Sequence, residues 1–279
     1  MTRTAFQSDL AETEFVDTPS GRFAYRRLGK KGATPLVLCM RFRGTIDHWD
    51  PALLDIIGAE RDLVLFDNRG TAASTGITPT SVDGLADGTI EFVEALGLTQ
   101  VDLLGWSLGG YVAQAVALSR PDLVRRLIVA GSGPGGVPDQ PKAPEKVWQV
   151  APRPENVEED FLYLFFPETD AARRAGVESL RRLDHRLLRP SHMPVAPDTV
   201  RAQTGAIRSF QGFWDRVPEL CLPVLVANGG HDVMIHAYAS YAMSQRLPLG
   251  KLVLYSDAGH GFLFHHANDF GHEILEFLR

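Results

Sequence analysis

Cysteine is nearly absent: the 279-residue chain has two, Cys39 and Cys221. Two isolated thiols in a chain of this length make no disulfide framework. Both border apolar β-like runs, so both are expected to be buried. No window approaches about 18 uncharged apolar residues, which excludes a membrane-spanning helix. Met1–Leu10 has no apolar core of a secretory signal. A soluble, cytoplasmic protein with no membrane partner is therefore expected. There is also no basic tail or Lys/Arg block. The 28 basic residues are spread against 34 acidic ones, for a net charge of −6, so no nucleic-acid partner is expected. Basic pairs occur (Arg26-Arg27, Arg125-Arg126, Arg173-Arg174, Arg181-Arg182), and two of them fall in runs of helical spacing that read as solvated faces. Internal repeats and long low-complexity runs are missing as well. What the chain does have is 44% hydrophobic and 22% charged residues, enough for a sizeable core. At roughly 150 residues per domain, its length also suits one large α/β domain.

Glu14–Thr18 and Arg22–Leu28 flank Pro19-Ser20-Gly21 and read as an opening β-hairpin. Apolar runs follow at Pro35–Cys39, Asp62–Phe66, Val101–Leu104, Arg126–Ala130, Leu222–Ala227 and Lys251–Tyr255. Uniformly apolar strands are those buried on both faces of a parallel sheet. Helical spacing lies between them at 81–97, 108–119 and 236–247, with a terminal helix at 262–278. This strand–helix alternation predicts right-handed βαβ units and a doubly wound sheet. The alternation stops over residues 134–215. A proline-rich approach (Pro134, Pro138, Pro141, Pro144, Pro152, Pro154) leads into helical runs at 157–165, 169–188 and 198–214, with no β pattern. That stretch is read as an inserted helical lid, since so long a structureless loop is uncommon. The expected organisation is a core of residues 1–133 and 216–279 carrying a cap of residues 134–215.

Gly105-Trp106-Ser107-Leu108-Gly109 follows one apolar run and opens a helical pattern. G-x-S-x-G in a strand–turn–helix context describes a serine on a strained elbow, where flanking Cβ atoms would clash. The helix that begins there offers its positive end to a developing oxyanion. A serine nucleophile needs a general base, and the base needs an acid to orient it. In a doubly wound sheet these belong on loops at the carboxyl ends of later strands. Asn228-Gly-Gly-His-Asp232 follows one late strand and Asp257-Ala-Gly-His260 follows the next. The order Ser107, Asp232, His260 assigns nucleophile, orienting acid and base.

With these motifs the chain resembles the α/β-hydrolase superfamily over essentially its whole length. Phe66-Asp-Asn-Arg-Gly70 with Ser74, and Arg120–Arg125, are similar to the family's loop after the fourth strand and its link out of the elbow helix. The resemblance implies a lid over the pocket. It also implies an oxyanion hole built from backbone N–H groups. The family's usual His-Gly pair after the third strand is replaced here by Met40-Arg41. By alignment this puts one donor at Phe42, and the residue after the nucleophile, Leu108, supplies the other. Arg41 and Arg43, placed beside the nucleophile, are suited to a substrate carboxylate. The plainer alternative pairs them with local acids such as Asp47, Asp50 or Asp67.

Other signals carry less. Gly131–Gly136 fits G-x-G-x-x-G, but Val-Pro-Asp-Gln-Pro after it cannot open the helix a dinucleotide site needs. His265 and His266, neighbours on the expected terminal helix, should point apart, so no metal is expected. The lid aromatics (Trp148, Phe161, Tyr163, Phe165, Phe166, Phe210, Phe213, Trp214) either line an apolar pocket or pack the lid, and Trp106 beside the nucleophile is first a packing residue. Of these, Phe165, Trp214 and Trp106 join Arg41 and Arg43 as candidate substrate contacts. The expected activity is hydrolysis of a small, largely apolar ester, thioester, lactone or amide, with no cofactor and a small-molecule substrate as the only partner. Acyl transfer, C–C cleavage or a non-hydrolytic binding role are the alternatives, and the sequence is silent on oligomeric state.

Overall fold

A computed structural model describes residues 6–153 and 155–279, so Pro154 of the proline-rich approach and the first five residues lie outside it. In chain order the elements are β1 (Glu14–Thr18), β2 (Gly21–Gly29), β3 (Leu36–Cys39), α1 (Pro51–Gly58), β4 (Asp62–Phe66) and α2 (Val82–Ala95). Then come β5 (Val101–Trp106), α3 (Leu108–Ser119), β6 (Val124–Ala130), α4 (Glu145–Val150), α5 (Glu158–Phe165), α6 (Asp170–Leu187) and α7 (Pro197–Ser209). The chain closes with β7 (Val224–Gly229), α8 (Ala237–Ser244), β8 (Gly250–Tyr255), α9 (Phe262–His265) and α10 (Ala267–Phe277).

One eight-stranded sheet runs in the order β1-β2-β4-β3-β5-β6-β7-β8. β1 and β2 form the antiparallel hairpin, β2 meets β4 antiparallel, and every pairing from β4 to β8 is parallel. Side chains alternate between the two faces, as the pleat requires. Leu36, Leu38, Leu63 and Leu65 pack with Leu53 and Leu54 of α1 and Phe270 and Ile274 of α10. Val37, Val64 and Phe66 pack with Phe92 of α2 and Val112 and Val116 of α3 on the other side. This is the doubly wound, mostly parallel sheet that the alternation predicts.

Several expectations need correction. α1 was not foreseen: it is a single short run, started by Asp50, whose carboxylate accepts from Ala52 N, and by Pro51 at its first turn. α4 interrupts the proline-rich approach, with Pro144 just before its first residue. The terminal helix breaks at His266, whose φ of −113° leaves the helical region. Strands β3–β7 are buried on both faces, but β8 is the sheet's edge and leaves Leu254 exposed. Cys39 is buried, whereas Cys221, just ahead of β7, is exposed.

Between β6 and β7 the described chain holds α4–α7 and no strand, yet β6 and β7 are adjacent and parallel, with Leu127 opposite Val224. The segment therefore leaves the sheet and returns without disturbing it. Charge fastens it down. Arg182 of α6 grips the buried Asp50 carboxylate through Nε and Nη2 at 2.8 and 2.7 Å, and Ser179 Oγ adds a third bond at 2.9 Å. One turn on, the buried Arg186 pairs with Asp9 and donates to Trp49 O. Such pairs add little net stability, but losing one partner costs about 3–5 kcal/mol because a buried charge is stranded. Asp47 is clasped by Arg26 at 2.7 Å and by His192, beyond α6, at 2.8 Å. Among the described residues no helix is long and apolar enough to cross a membrane.

Candidate active site

Ser107 sits between the end of β5 and the start of α3 with φ 58° and ψ −120°, a conformation a non-glycine residue holds only under constraint. The constraint comes from both sides. Ser107 N–H donates to Ala130 O at 2.9 Å, and Ser107 O accepts from Gly110 N at 2.8 Å. A Cβ on Gly105 would lie 2.1 Å from Gly109 O, and one on Gly109 would lie 2.0 Å from Cys39 O. Both glycines are thus required by backbone packed against backbone. The turn presents the serine at the N-terminus of α3, where unpaired N–H groups and the helix dipole favour negative charge.

The turn after β7 brings Asp232 to the same end of the sheet. Its Oδ1 accepts backbone N–H bonds from Met234 at 2.8 Å and Ile235 at 2.9 Å. Its Oδ2 lies 2.7 Å from His260 Nδ1, and both side chains are fully buried. A carboxylate accepts, so Nδ1 carries the proton and Nε2 presents a lone pair. Nε2 is buried without a partner. Trp106 Nε1 donates to His260 O at 3.1 Å, and the Trp106 and Phe165 rings lie 5.8 and 5.6 Å from the imidazole. Ser107 and His260 line the same cavity without a mutual hydrogen bond, a contact that commonly tightens only with substrate bound.

The loop after β3 runs against the elbow at Gly109 and lines a cavity together with Ser107. Gly44 N donates to Arg41 O at 3.1 Å, and Arg43, at φ 56°, gives its own N–H to Gln203 Oε1 of α7 at 2.9 Å. The Arg43 N–H is therefore engaged within the protein, and Phe42, just before it, lines a cavity together with Ser107. The Leu108 N–H, at the first position of α3, is outside the helix ladder.

Ser107 stands where two cavities meet; Phe42, Ala151 and Met234 are also shared. The first, about 410 Å³, is lined by His260, Arg41, Arg43, His48, Phe161 and Phe165, among others. The second, about 640 Å³, is lined by Leu108, Tyr111, Val147, Trp148, Ile207 and Phe210 and is mostly apolar. The local acids do not hold Arg41: Asp47 and Asp50 have the partners given above, and Asp67 accepts from Ile46 N at 2.8 Å. Arg41 donates one arm, Nη1, to Phe42 O at 2.7 Å and lies over the Trp106 and Phe165 rings at 5.4 and 5.1 Å. Burial, then the charge of Arg43, lowers its pKa to about 9, which leaves it cationic at neutral pH. Arg43 reaches across to Ala151 O and Asn156 Oδ1 of the helical segment.

Not every candidate converges. Phe165 lines the first cavity, but Trp106 is fully buried beneath it as a packing residue. Trp214 lies away from both cavities, in the patch of Val137, Ala239 and Ala242, with Arg246 over its ring at 4.4 Å. Its aromatic character alone gave no direction. His48 is a cavity residue that sequence reasoning missed, since a lone histidine in a loop has no pattern around it. His265 and His266 do not point apart: where the helix breaks their rings stack 4.3 Å apart, and His266 pairs with Asp257 at 2.9 Å. Asp257, His265 and His266 offer ligand atoms within 4.8 Å of one another, on the outside of the fold.

Comparison with known proteins agrees with this architecture. Residues 35–267 match a family profile for the alpha/beta hydrolase fold. A solved alpha/beta hydrolase fold protein from Chitinophaga pinensis superimposes with a TM-score of 0.88 at 32% identity, over 97% of this chain and 98% of that one. The chain is 26% identical over 214 residues to the 2-hydroxy-6-oxononadienedioate/2-hydroxy-6-oxononatrienedioate hydrolase 2 of Pseudomonas putida, spanning 75% of this chain and 70% of that protein. It is 23% identical over 264 residues, 92% of this chain and 97% of the relative, to a Rhizobium rhizogenes protein provisionally named carbamate hydrolase RutD.

Proposed function

This chain belongs to the α/β-hydrolase family, and on that premise we propose that it is a serine hydrolase of small carboxylic esters or related acyl compounds. Ser107 is the nucleophile, His260 the general base and Asp232 the acid that holds the imidazole. The observation that carries this reading is the buried 2.7 Å contact of His260 Nδ1 with Asp232, which leaves Nε2 as an unpaired acceptor in the cavity of Ser107. As Oγ bonds to the acyl carbon, its proton passes to Nε2, and the carbonyl oxygen becomes an oxyanion facing the N–H groups of Phe42 and Leu108. Each such donor is worth about 3 kcal/mol when well aimed. His260 then returns the proton to the leaving oxygen or nitrogen, and a water molecule activated by the same base releases the acid. The reaction so written uses no metal or organic cofactor. Residues 134–215 act in it as a cap that walls both cavities.

The likeness to the oxononadienedioate hydrolase favours a second reading. Its named substrate contains no ester, so hydrolysis there divides a carbon–carbon bond. The same three residues serve that outcome if the substrate is a ketone. Incubation with p-nitrophenyl acetate, p-nitrophenyl butyrate and a fluorophosphonate probe tests the first reading. Wild-type protein should turn over the esters and take up the label, and Ser107→Ala should do neither. Absence of both turnover and label in the wild type removes the serine-hydrolase assignment. Label without ester turnover shifts the balance to C–C cleavage or acyl transfer.

A further inference from the structure

The two cavities that meet at Ser107 differ in chemistry, and His260 faces only one of them. That difference orients a substrate. In the mechanism proposed above, on which this inference rests, the imidazolium gives its proton to the leaving oxygen. The leaving group must therefore lie on the side of His260, in the cavity of Arg41 and His48. The acyl chain then occupies the larger cavity beside Leu108, lined by Tyr111, Ile207 and Phe210.

The cavity on the His260 side holds a cation with unmet demand. Arg41 takes part in no ion pair within 4.0 Å among the described residues. Its Nη1 has Phe42 O, and its Nε is buried with no acceptor among the described residues. Its Nη2 has no hydrogen bond among the described residues and is not sealed from solvent, and Arg41 lines the cavity of Ser107 and His260. A buried guanidinium without a counter-ion is costly, and a bound anion relieves that cost. His48 adds a second donor. The Thr45 backbone N–H donates to His48 Nδ1 at 3.1 Å, which makes Nδ1 an acceptor and places the ring proton on Nε2. Burial, then the charge of Arg41, keeps the pKa of His48 well below its usual value, so the ring stays neutral in that tautomer. The acids on this cavity, Glu158 and Asp184, are exposed residues of α5 and α6.

We propose that the substrate is an ester whose leaving alcohol or phenol carries a carboxylate, held by Arg41 and His48, while an apolar acyl chain fills the second cavity. In the chemical steps Oγ–C forms first, giving the oxyanion, and its collapse then breaks the C–O bond to the leaving group. The proton from Oγ ends on the departing oxygen, and the carboxylate stays ionised throughout.

Two isomeric esters separate the sides: 4-(butanoyloxy)benzoate has its carboxylate on the leaving phenol, and monophenyl glutarate has it on the acyl chain. 4-(Butanoyloxy)benzamide is the neutral control for the first, with a similar electron-withdrawing group. Wild-type kcat/KM should favour 4-(butanoyloxy)benzoate over both by about ten- to a hundredfold, the usual worth of a hydrogen bond to a charged group. Arg41→Gln should bring the benzoate-to-benzamide ratio near one, and Arg41→Lys should keep part of it. The ratio compares two substrates on the same protein, so partial unfolding of a variant does not affect it. A wild-type ratio near one, a ratio unchanged by Arg41→Gln, or a preference for the glutarate overturns the proposal. Calorimetric titration of the two benzoate-series esters into Ser107→Ala, with and without Arg41→Gln, reads binding without chemistry. Arg41-dependent binding with no wild-type turnover of any ester sustains the carboxylate site and defeats the hydrolase reading. Ester turnover without carboxylate preference does the reverse.

Discussion

Nδ1 of His260 and Oδ2 of Asp232 lie 2.7 Å apart in a fully buried pair, although 28 residues separate them in the chain. The contact exists because β7 and β8 are parallel neighbours, so the turns that follow them leave the sheet at the same end. Asp232→Asn keeps the shape but turns an acceptor into a possible donor, and the imidazole loses the partner that fixes its tautomer. The expected result is a fall in kcat of roughly 10⁴, as in serine proteases altered at the corresponding acid. A variant that hydrolyses p-nitrophenyl butyrate at a near-normal rate would move the orienting role to another residue.

Gly109→Ala puts a methyl group 2.0 Å from Cys39 O and 2.8 Å from Met40 O. Both obstacles are backbone, so the β3 loop and the elbow must part. Overpacking of this kind costs about 1–3 kcal/mol, and displacement of a reacting group such as the proposed Ser107 Oγ by about 1 Å costs on the order of 10² in rate. Thermal melting should show a lowered Tm, and fluorophosphonate labelling should slow by about a hundredfold. Wild-type labelling by this variant would contradict the close approach of β3 to the elbow.

Asp47 sets an acid limit on stability. Burial by itself would raise its pKa, but the His192 hydrogen bond and the Arg26 charge outweigh that and hold it at about 2. An unfolded aspartate titrates near 3.9, so the folded state binds its proton more weakly. The resulting stabilisation, on the order of 2 kcal/mol, is present above about pH 4 and lost as the pH falls through about 2. Thermal melts from pH 7 to pH 2 should show a steeper acid loss in the wild type than in Asp47→Asn, which starts from a lower Tm. Parallel curves for the two proteins would assign that loss to other groups.

Much of this was legible before any coordinates. The strands and the positions of Ser107, Asp232 and His260 could be read because each site residue follows an apolar run directly, and local order is what sequence records. Phe42 follows from the alignment of one loop, and the bond that takes up the N–H of its neighbour Arg43 is visible only in the fold. What failed depended on direction in space. Trp214 and Phe165 look alike as aromatics, yet one packs under Arg246 and the other walls the cavity. His265 and His266, expected to point apart on one helix, stand where that helix breaks at His266, and their rings stack. His48 has no pattern around it, and the lack of a counter-ion at Arg41 is visible only once the partners of Asp47, Asp50 and Asp67 are known. The eight residues of α1 were too few to establish a period.

The helical segment leaves after β6 and returns at β7 with no strand of its own, while its side chains line both cavities beside Ser107. Recognition and scaffold are therefore separable in heredity. A substitution at Phe161 or Ile207 alters what fits without touching the hydrogen-bond ladder that strains Ser107 or pairs Asp232 with His260. Single substitutions in that segment can reshape the cavities one at a time while the geometry around Ser107 stays as it is.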